Sequence, residues 1–311
     1  MHSGTRKLFS SNNLKGMLRK KFTAKQLNDM HINNTVDWRP LAPPVLQQHA
    51  NGSKCGACWS FAATGAVSIV YAQATGKIQQ LSQQQIVSCD TESRGCGGGG
   101  ARRGVQVAIP CTNCNNTLSQ QPWSTYTPME GLQMKKPTRT RPGPANATSS
   151  LLTSAWKTVQ TSPHQPSVLR VAVNIKGYCK VPKDNETAMA LALSKGVRVP
   201  PGLFQCFTRP PPQPLTVSLY CGGPAFPAWK NYKGGILDPS SVCNETNDYC
   251  DHKATHVVVV VGMTEVDNVP VWIIRNSWGR SWGDNGYAYI PRNKGTAGMF
   301  GLATAPSLPV V

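Results

Sequence analysis

Apolar positions crowd this chain in a few separated blocks. The first, CWSFAATGAVSIVYAQAT from Cys58 to about Thr75, is apolar on nearly every turn and predicts a helix that starts at a cysteine. In Leu81–Cys89, Ser82 stands three residues before Gln85, a capping-box spacing that starts a second, short helix. Asp184–Ala192 predicts another capped helix, and Pro214–Leu219 a strand. Five consecutive valines, Val257–Val261, predict a strand buried on both faces with His256 at its start. Alternating apolar residues make strands of Val271–Arg275 and of the segment around Tyr287–Tyr289.

The stretches between are of another kind. Residues 1–35 are polar and basic, with a short helix over Lys21–Leu27. Residues 101–168 are rich in Ser, Thr, Pro, Gln and Arg and carry no pattern that packs. Prolines break the chain again at Pro200–Pro201 and Pro210–Pro212.

Composition narrows the classes. With 311 residues, 40% of them hydrophobic, the chain can bury one large core or two ordinary ones. It has no apolar run of about 18 residues, so no membrane span is expected. Its first twenty residues lack the apolar core of an export signal, yet eleven cysteines point to an oxidising compartment. A truncated N-terminus reconciles the two. The net charge of +18 raises nucleic acid as a partner. Ala101–Lys183, however, holds eleven Lys or Arg and one acid, Glu130, with no periodicity that gathers them on one face. That distribution reads as a solvated segment, and no nucleic-acid partner is expected.

The candidate chemistry sits in three places. A cysteine at the first turn of a helix faces unpaired amides and the positive end of the helix dipole, which favour thiolate. Cys55 and Cys58 also form a CxxC, but the only other one, Cys111–Cys114, lies in low-complexity sequence, so neither a zinc nor a redox pair is favoured. Gly95-Cys96-Gly97-Gly98-Gly99 allows close backbone approach to a ligand and lacks the lysine of a phosphate loop. His256 opens its strand, and Asn276 follows another.

Cys55-Gly56-Ala57-Cys58-Trp59-Ser60-Phe61, Thr255-His256-Val257 and Asn276-Ser277-Trp278-Gly279 together resemble the papain-like cysteine peptidases, the cathepsin L-like branch in particular. The resemblance implies an α+β, two-domain papain-like fold: a helical left domain and an antiparallel β-barrel right domain with the cleft between. It implies a cysteine-type endopeptidase working through Cys58, His256 and Asn276 and needing no cofactor or metal. It places Gly56, Gly98, Gly99, Thr255, Trp278 and Ala305 at the substrate. Ala305, with Ala101 facing it, would wall the pocket for the second residue before the scissile bond and favour a bulky apolar side chain. Cys96 would pair with Cys55. Cys89 would take a second bridge with Cys111, Cys114 or Cys179, and Cys243 would pair with Cys250.

Other implications concern context. The segment 1–35 would be a remnant of an inhibitory propeptide. The peptidase domain would run 36–305, as a left part 36–99, an aberrant region 100–213 and a right part 214–305, with 306–311 as a tail. The partners would be a peptide or protein substrate and the propeptide, the active form a monomer, and the location a lysosome-like compartment or the extracellular space.

The chain also departs from the pattern. Six places before the nucleophile the family has a glutamine that helps to bind the oxyanion, and here Gly52 stands there, with Asn51 the nearest substitute. Such a gap raises a second reading, an impaired homologue acting as a binding or structural protein. Phe300 stands where the family usually has a cysteine. The family His and Asn lie roughly 130 to 150 residues beyond the cysteine. Here the separations are 256 − 58 = 198 and 276 − 58 = 218, so part of 100–213 reads as out-of-frame or unspliced translation.

Overall fold

The computed structural model describes residues 35–49, 54–90, 92–100, 102, 104–105, 117–118, 173–174, 177–194, 203–206, 211–238, 254–293 and 297–310. Strand β1 is Val36–Asp37, helix α1 Cys58–Thr75 and helix α2 Gln83–Cys89. β2 (Thr117–Leu118) and β3 (Val173–Asn174) pair with each other and, among the described residues, with no other strand. β4 (Gly177–Lys180), α3 (Glu186–Leu193), β5 (Leu215–Leu219) and α4 (Phe226–Asn231) follow. The chain then builds β6 (His256–Val266), β7 (Val269–Arg275), β8 (Tyr287–Pro291) and β9 (Ser307–Val310).

One antiparallel sheet of seven strands carries the right-hand half, in the order β4-β9-β5-β6-β7-β8, with β1 paired to β6 off that path. The valine run is its centre. Val257–Val261 are almost wholly buried because β5 and β7 flank the strand and α1 lies against it. The register between β6 and β7 slips between Val260 and Gly262, and there Trp38 N–H bonds Val261 C=O. A side chain at Gly262 would strike the Val36 carbonyl, so only glycine lets β1 dock.

α1 is buried along nearly its whole length, from Cys58 to Val70, as its unbroken apolar composition requires. Gly76, at φ +71°, ends it by returning its N–H to Ala72 C=O. α2 is capped as its sequence predicts, Ser82 Oγ accepting from Gln85 N–H at 3.1 Å. α3 is capped by Asn185, whose Oδ1 accepts from Ala188 N–H at 2.8 Å.

Two expectations about the domain are corrected. The region 100–213 is not foreign throughout. β4 pairs with β9, α3 contributes buried Met189, Leu191 and Leu193, and Leu203 and Phe204 join the same core. Glu186 at the start of α3 accepts from Trp272 Nε1 at 2.7 Å and from Asn293 N–H at 3.1 Å, which ties the helix to β7 and the loop after β8. Nor are residues 306–311 a tail. Ser307–Val310 lie between β4 and β5, with Ser307 and Leu308 fully buried. Alternating apolar positions were too few there to announce a strand, and the pairing partners lie far away in sequence.

Candidate active site

The fold brings the first turn of α1, the first residue of β6 and the residue after β7 to one cleft of about 650 Å³. Cys58 and His256 both line it. His256 Nε2 donates to Asn276 Oδ1 at 2.7 Å, and the same oxygen accepts Ser277 N–H at 2.8 Å. Since an amide oxygen only accepts, Nε2 carries the proton and Nδ1 is left as the basic nitrogen. The rings of Trp278 and Trp229 stand 5.3 Å and 5.9 Å from the imidazole. They leave His256 and Asn276 each only 4% exposed.

Burial governs both titrating groups. It pushes the Cys58 thiol up, against the backbone N–H groups of Val257, Trp59 and Cys58, which hold it down. It pushes the His256 imidazole down to about 4, against the hydrogen bond it donates to Asn276 and with the help of nearby His49. Each group alone therefore favours its neutral form, whereas a proton moved from Cys58 to His256 creates two opposite charges that offset one another's desolvation.

Two braces fix the glycine loop opposite Cys58. The Cys55–Cys96 disulfide forms as the resemblance implies, and Gly56 N–H bonds Cys96 C=O at 2.8 Å. Trp59 Nε1 donates to Gly95 C=O at 3.3 Å, and a side chain on Gly99 would lie 2.6 Å from the Trp59 ring. The two glycines expected at the substrate differ. Gly98 spends its N–H on Gly95 C=O and its C=O on Arg94 N–H, whereas Gly99 N–H and C=O take no partner among the described residues.

Asn51, the residue expected at the oxyanion, lies outside the described residues. Gln48, ten places before Cys58, lines the cleft. It is held by Ser277 Oγ, which donates to Gln48 Oε1 at 2.6 Å, while Gln48 Nε2 reaches Cys55 C=O at 3.2 Å. Residues 49–54 place this glutamine four positions farther upstream of Cys58 than the family spacing of six, and the Gln47-Gln48 pair is the signal in the sequence that marks it.

Gly56, Thr255 and Trp278 line the cleft, whereas Ala305 is not among its lining residues and sits in the bend ahead of β9. Cys221, not anticipated, does line it. Its N–H bonds Thr255 Oγ1 at 3.0 Å, and its thiol is pushed up to about 12 by burial. Cys179 pairs with Cys206, which removes it as a partner for Cys89. The Cys89 side chain, Ala101, Cys111, Cys114, Cys243 and Cys250 lie outside the described residues. Where the family has a cysteine, the Phe300 ring packs edge-on to Trp229 at 5.6 Å.

The sequence model described as "Papain family cysteine protease" matches residues 32–200 and 213–310. The chain belongs to this family. Its match continues through most of the central stretch that looked foreign. Among papain-family relatives, the chain is 29% identical over 289 residues to germination-specific cysteine protease 1 of Arabidopsis thaliana, covering 91% of this chain and 59% of that one. It is 29% identical over 279 residues to chymopapain of Carica papaya, covering 87% and 60%. The chain thus spans about three fifths of the length of these relatives. Among solved structures it is similar to bromelain of Ananas comosus in complex with the inhibitor E64, with TM-score 0.59, 25% identity and coverage of 90% and 100%. It also shares the fold of the ragweed cysteine protease Amb a 11 in its proform, with TM-score 0.61, 22% identity and coverage of 91% and 67%. The α+β papain-like fold is therefore that of this chain.

Proposed function

We propose that this chain is a cysteine-type endopeptidase with Cys58 as nucleophile, His256 as acid and base, and Asn276 as the residue that orients His256. The observation that carries it is the His256–Asn276 bond of 2.7 Å at the wall of the cleft that also holds Cys58. That bond leaves Nδ1 free to take the Cys58 proton. The sulfur then attacks the peptide carbonyl carbon, and the carbonyl electrons move to oxygen. Cys58 N–H and Gln48 Nε2 receive this oxyanion. His256 returns the proton to the departing amine, leaving a thioester. Water adds to the thioester with His256 as base, and the acid product leaves with the thiol restored.

Gly99 pairs the substrate backbone as an added strand, and Gly56 and Thr255 wall the cleft around the scissile bond. Trp278 keeps water from the His256–Asn276 bond. The ragweed relative is known in a proform, and by analogy a propeptide would close this cleft before activation. Gln48 also weakens the reading of an impaired homologue, one motive for which was the lack of an oxyanion side chain.

The test is covalent labelling by a peptidyl epoxide, compared between the wild type and Cys58→Ser. Labelling of the wild type alone, with turnover of a fluorogenic peptide, is the expected result. A folded wild type that takes no label and cleaves no peptide overturns the proposal.

A further inference from the structure

Charge is distributed one-sidedly in the cleft. Its described lining residues include Lys54, Arg94 and His49, and none is an Asp or Glu. Lys54 and Arg94 are exposed and form no ion pair among the described residues. Neither of the described acids in the same loop lines the cleft. Asp90 is buried and accepts Glu92 N–H at 2.9 Å, and Glu92 does not line the cleft.

Arg94 is positioned where substrate backbone would run. Its N–H bonds Gly98 C=O at 3.0 Å and its C=O accepts Gly97 N–H at 2.8 Å, so both peptide groups are locked into the glycine turn. A Cβ placed on Gly98 would lie 3.9 Å from Arg94 Nη2, so the guanidinium reaches over that glycine. Gly99, with its unpaired N–H and C=O, is the next residue. A peptide that adds as a strand at Gly99 sends alternate side chains to opposite faces, about 3.3 Å apart along the chain. One of them meets the guanidinium fork. Lys54, just ahead of Cys55 and Gly56, also lines the cleft and adds the same sign.

We infer that this peptidase prefers acidic peptides, with Arg94 as the specificity-determining residue that reads a Glu or Asp among the second to fourth residues before the scissile bond. The inference rests on the peptidase reading above. Coulomb attraction at an exposed site is modest, so the preference is about five-fold in kcat/KM for Glu over Lys at the position read. It shrinks as salt shortens the screening length.

The experiment uses the active protein and matched fluorogenic peptides that differ only by Glu, Gln or Lys at each of those three positions, at low and high ionic strength. The expected result is that Glu is fastest and Lys slowest at one position, with the ratio falling in salt. Arg94→Gln should remove the ratio and Arg94→Glu invert it, while Lys77→Glu, a charge change equal to that of Arg94→Glu at an exposed position just beyond α1, leaves it unchanged. Equal rates for Glu and Lys at all three positions overturn the inference while leaving the peptidase reading intact. Absence of turnover on every peptide, together with no epoxide label, overturns both. A ratio that moves equally in Arg94→Glu and Lys77→Glu shows a net-charge effect and overturns the assignment to Arg94.

Discussion

Ser277 and Gln48, 229 residues apart in sequence, are bonded twice: Ser277 Oγ donates to Gln48 Oε1 at 2.6 Å, and Gln48 N–H donates to Ser277 C=O at 2.8 Å. The pair joins the loop ahead of the nucleophile to the loop of Asn276. It also fixes the orientation of the Gln48 amide, because the oxygen is engaged by Ser277 and the NH₂ group faces Cys55 C=O and His49 Nε2, at 3.2 Å each, contacts of which an oxyanion would replace one. Gln48→Ala is expected to lower kcat about 10²-fold with little change in KM, the usual cost of one oxyanion donor. Ser277→Ala, which only loosens the amide, should cost less. Asn51→Ala should leave kcat unchanged. Steady-state kinetics of the three variants checks the assignment, and a large loss confined to Asn51→Ala would reverse it.

The depressed imidazole sets a second prediction, best read in Cys58→Ser, where no thiolate can hold the histidine charged. Folded His256 sits at about 4 and an unfolded histidine at about 6.5. Between those values the unfolded chain binds the extra proton, so stability rises with pH across the window and is lost on acidification. Taking the pH from 7 to 4 should cost on the order of 3 kcal/mol from this one group. Urea unfolding of Cys58→Ser against Cys58→Ser/His256→Gln at both pH values isolates it, since the double variant lacks the titration. Equal pH dependence in the two would refute it.

Cys58 and Cys221 are the free cysteines among the described residues, and both line the cleft. They should differ in reactivity. With its thiol pushed up to about 12, Cys221 remains protonated and unreactive across the working range. Iodoacetamide at pH 7 to 8 is expected to alkylate Cys58 first, and peptide mapping by mass spectrometry should find Cys221 unmodified while the protein stays folded.

The Cys179–Cys206 bond closes a loop across 27 positions and anchors a segment that contains α3. Replacing both cysteines by serine should lower stability by about 3 kcal/mol, the chain-entropy value for a loop of this size. Activity at low temperature should persist, because neither cysteine lines the cleft. Denaturant midpoints under non-reducing conditions measure the loss.

The legible parts of this site were those whose chemistry is local. Cys58 was readable because an apolar helix begins at it, and His256 because five valines follow it. Asn276 needed the neighbouring Ser277-Trp278-Gly279 to stand out from turn asparagines. Gln48 was missed because the bonds that hold it at the cleft come from Ser277, a partner reached only through the fold. The α1 and β6 elements followed from composition alone, whereas β4 and β9 have short, mixed sequences and are strands only because they pair with each other.

Position in the sheet gives β9 a further consequence during synthesis. A ribosome releases β5 to β8 in order, and each of the hairpins β6–β7 and β7–β8 can close as soon as its second strand emerges. β4 leaves the tunnel well before them and, apart from its bridge to Gln205, has no strand neighbour among the described residues until Ser307–Val310 arrives, because β9 joins it to β5. Until then Cys179, Leu215 and Val217 wait beside an open edge. The nascent protein therefore passes through a stage in which the cleft residues have all been made while the sheet behind them is still incomplete.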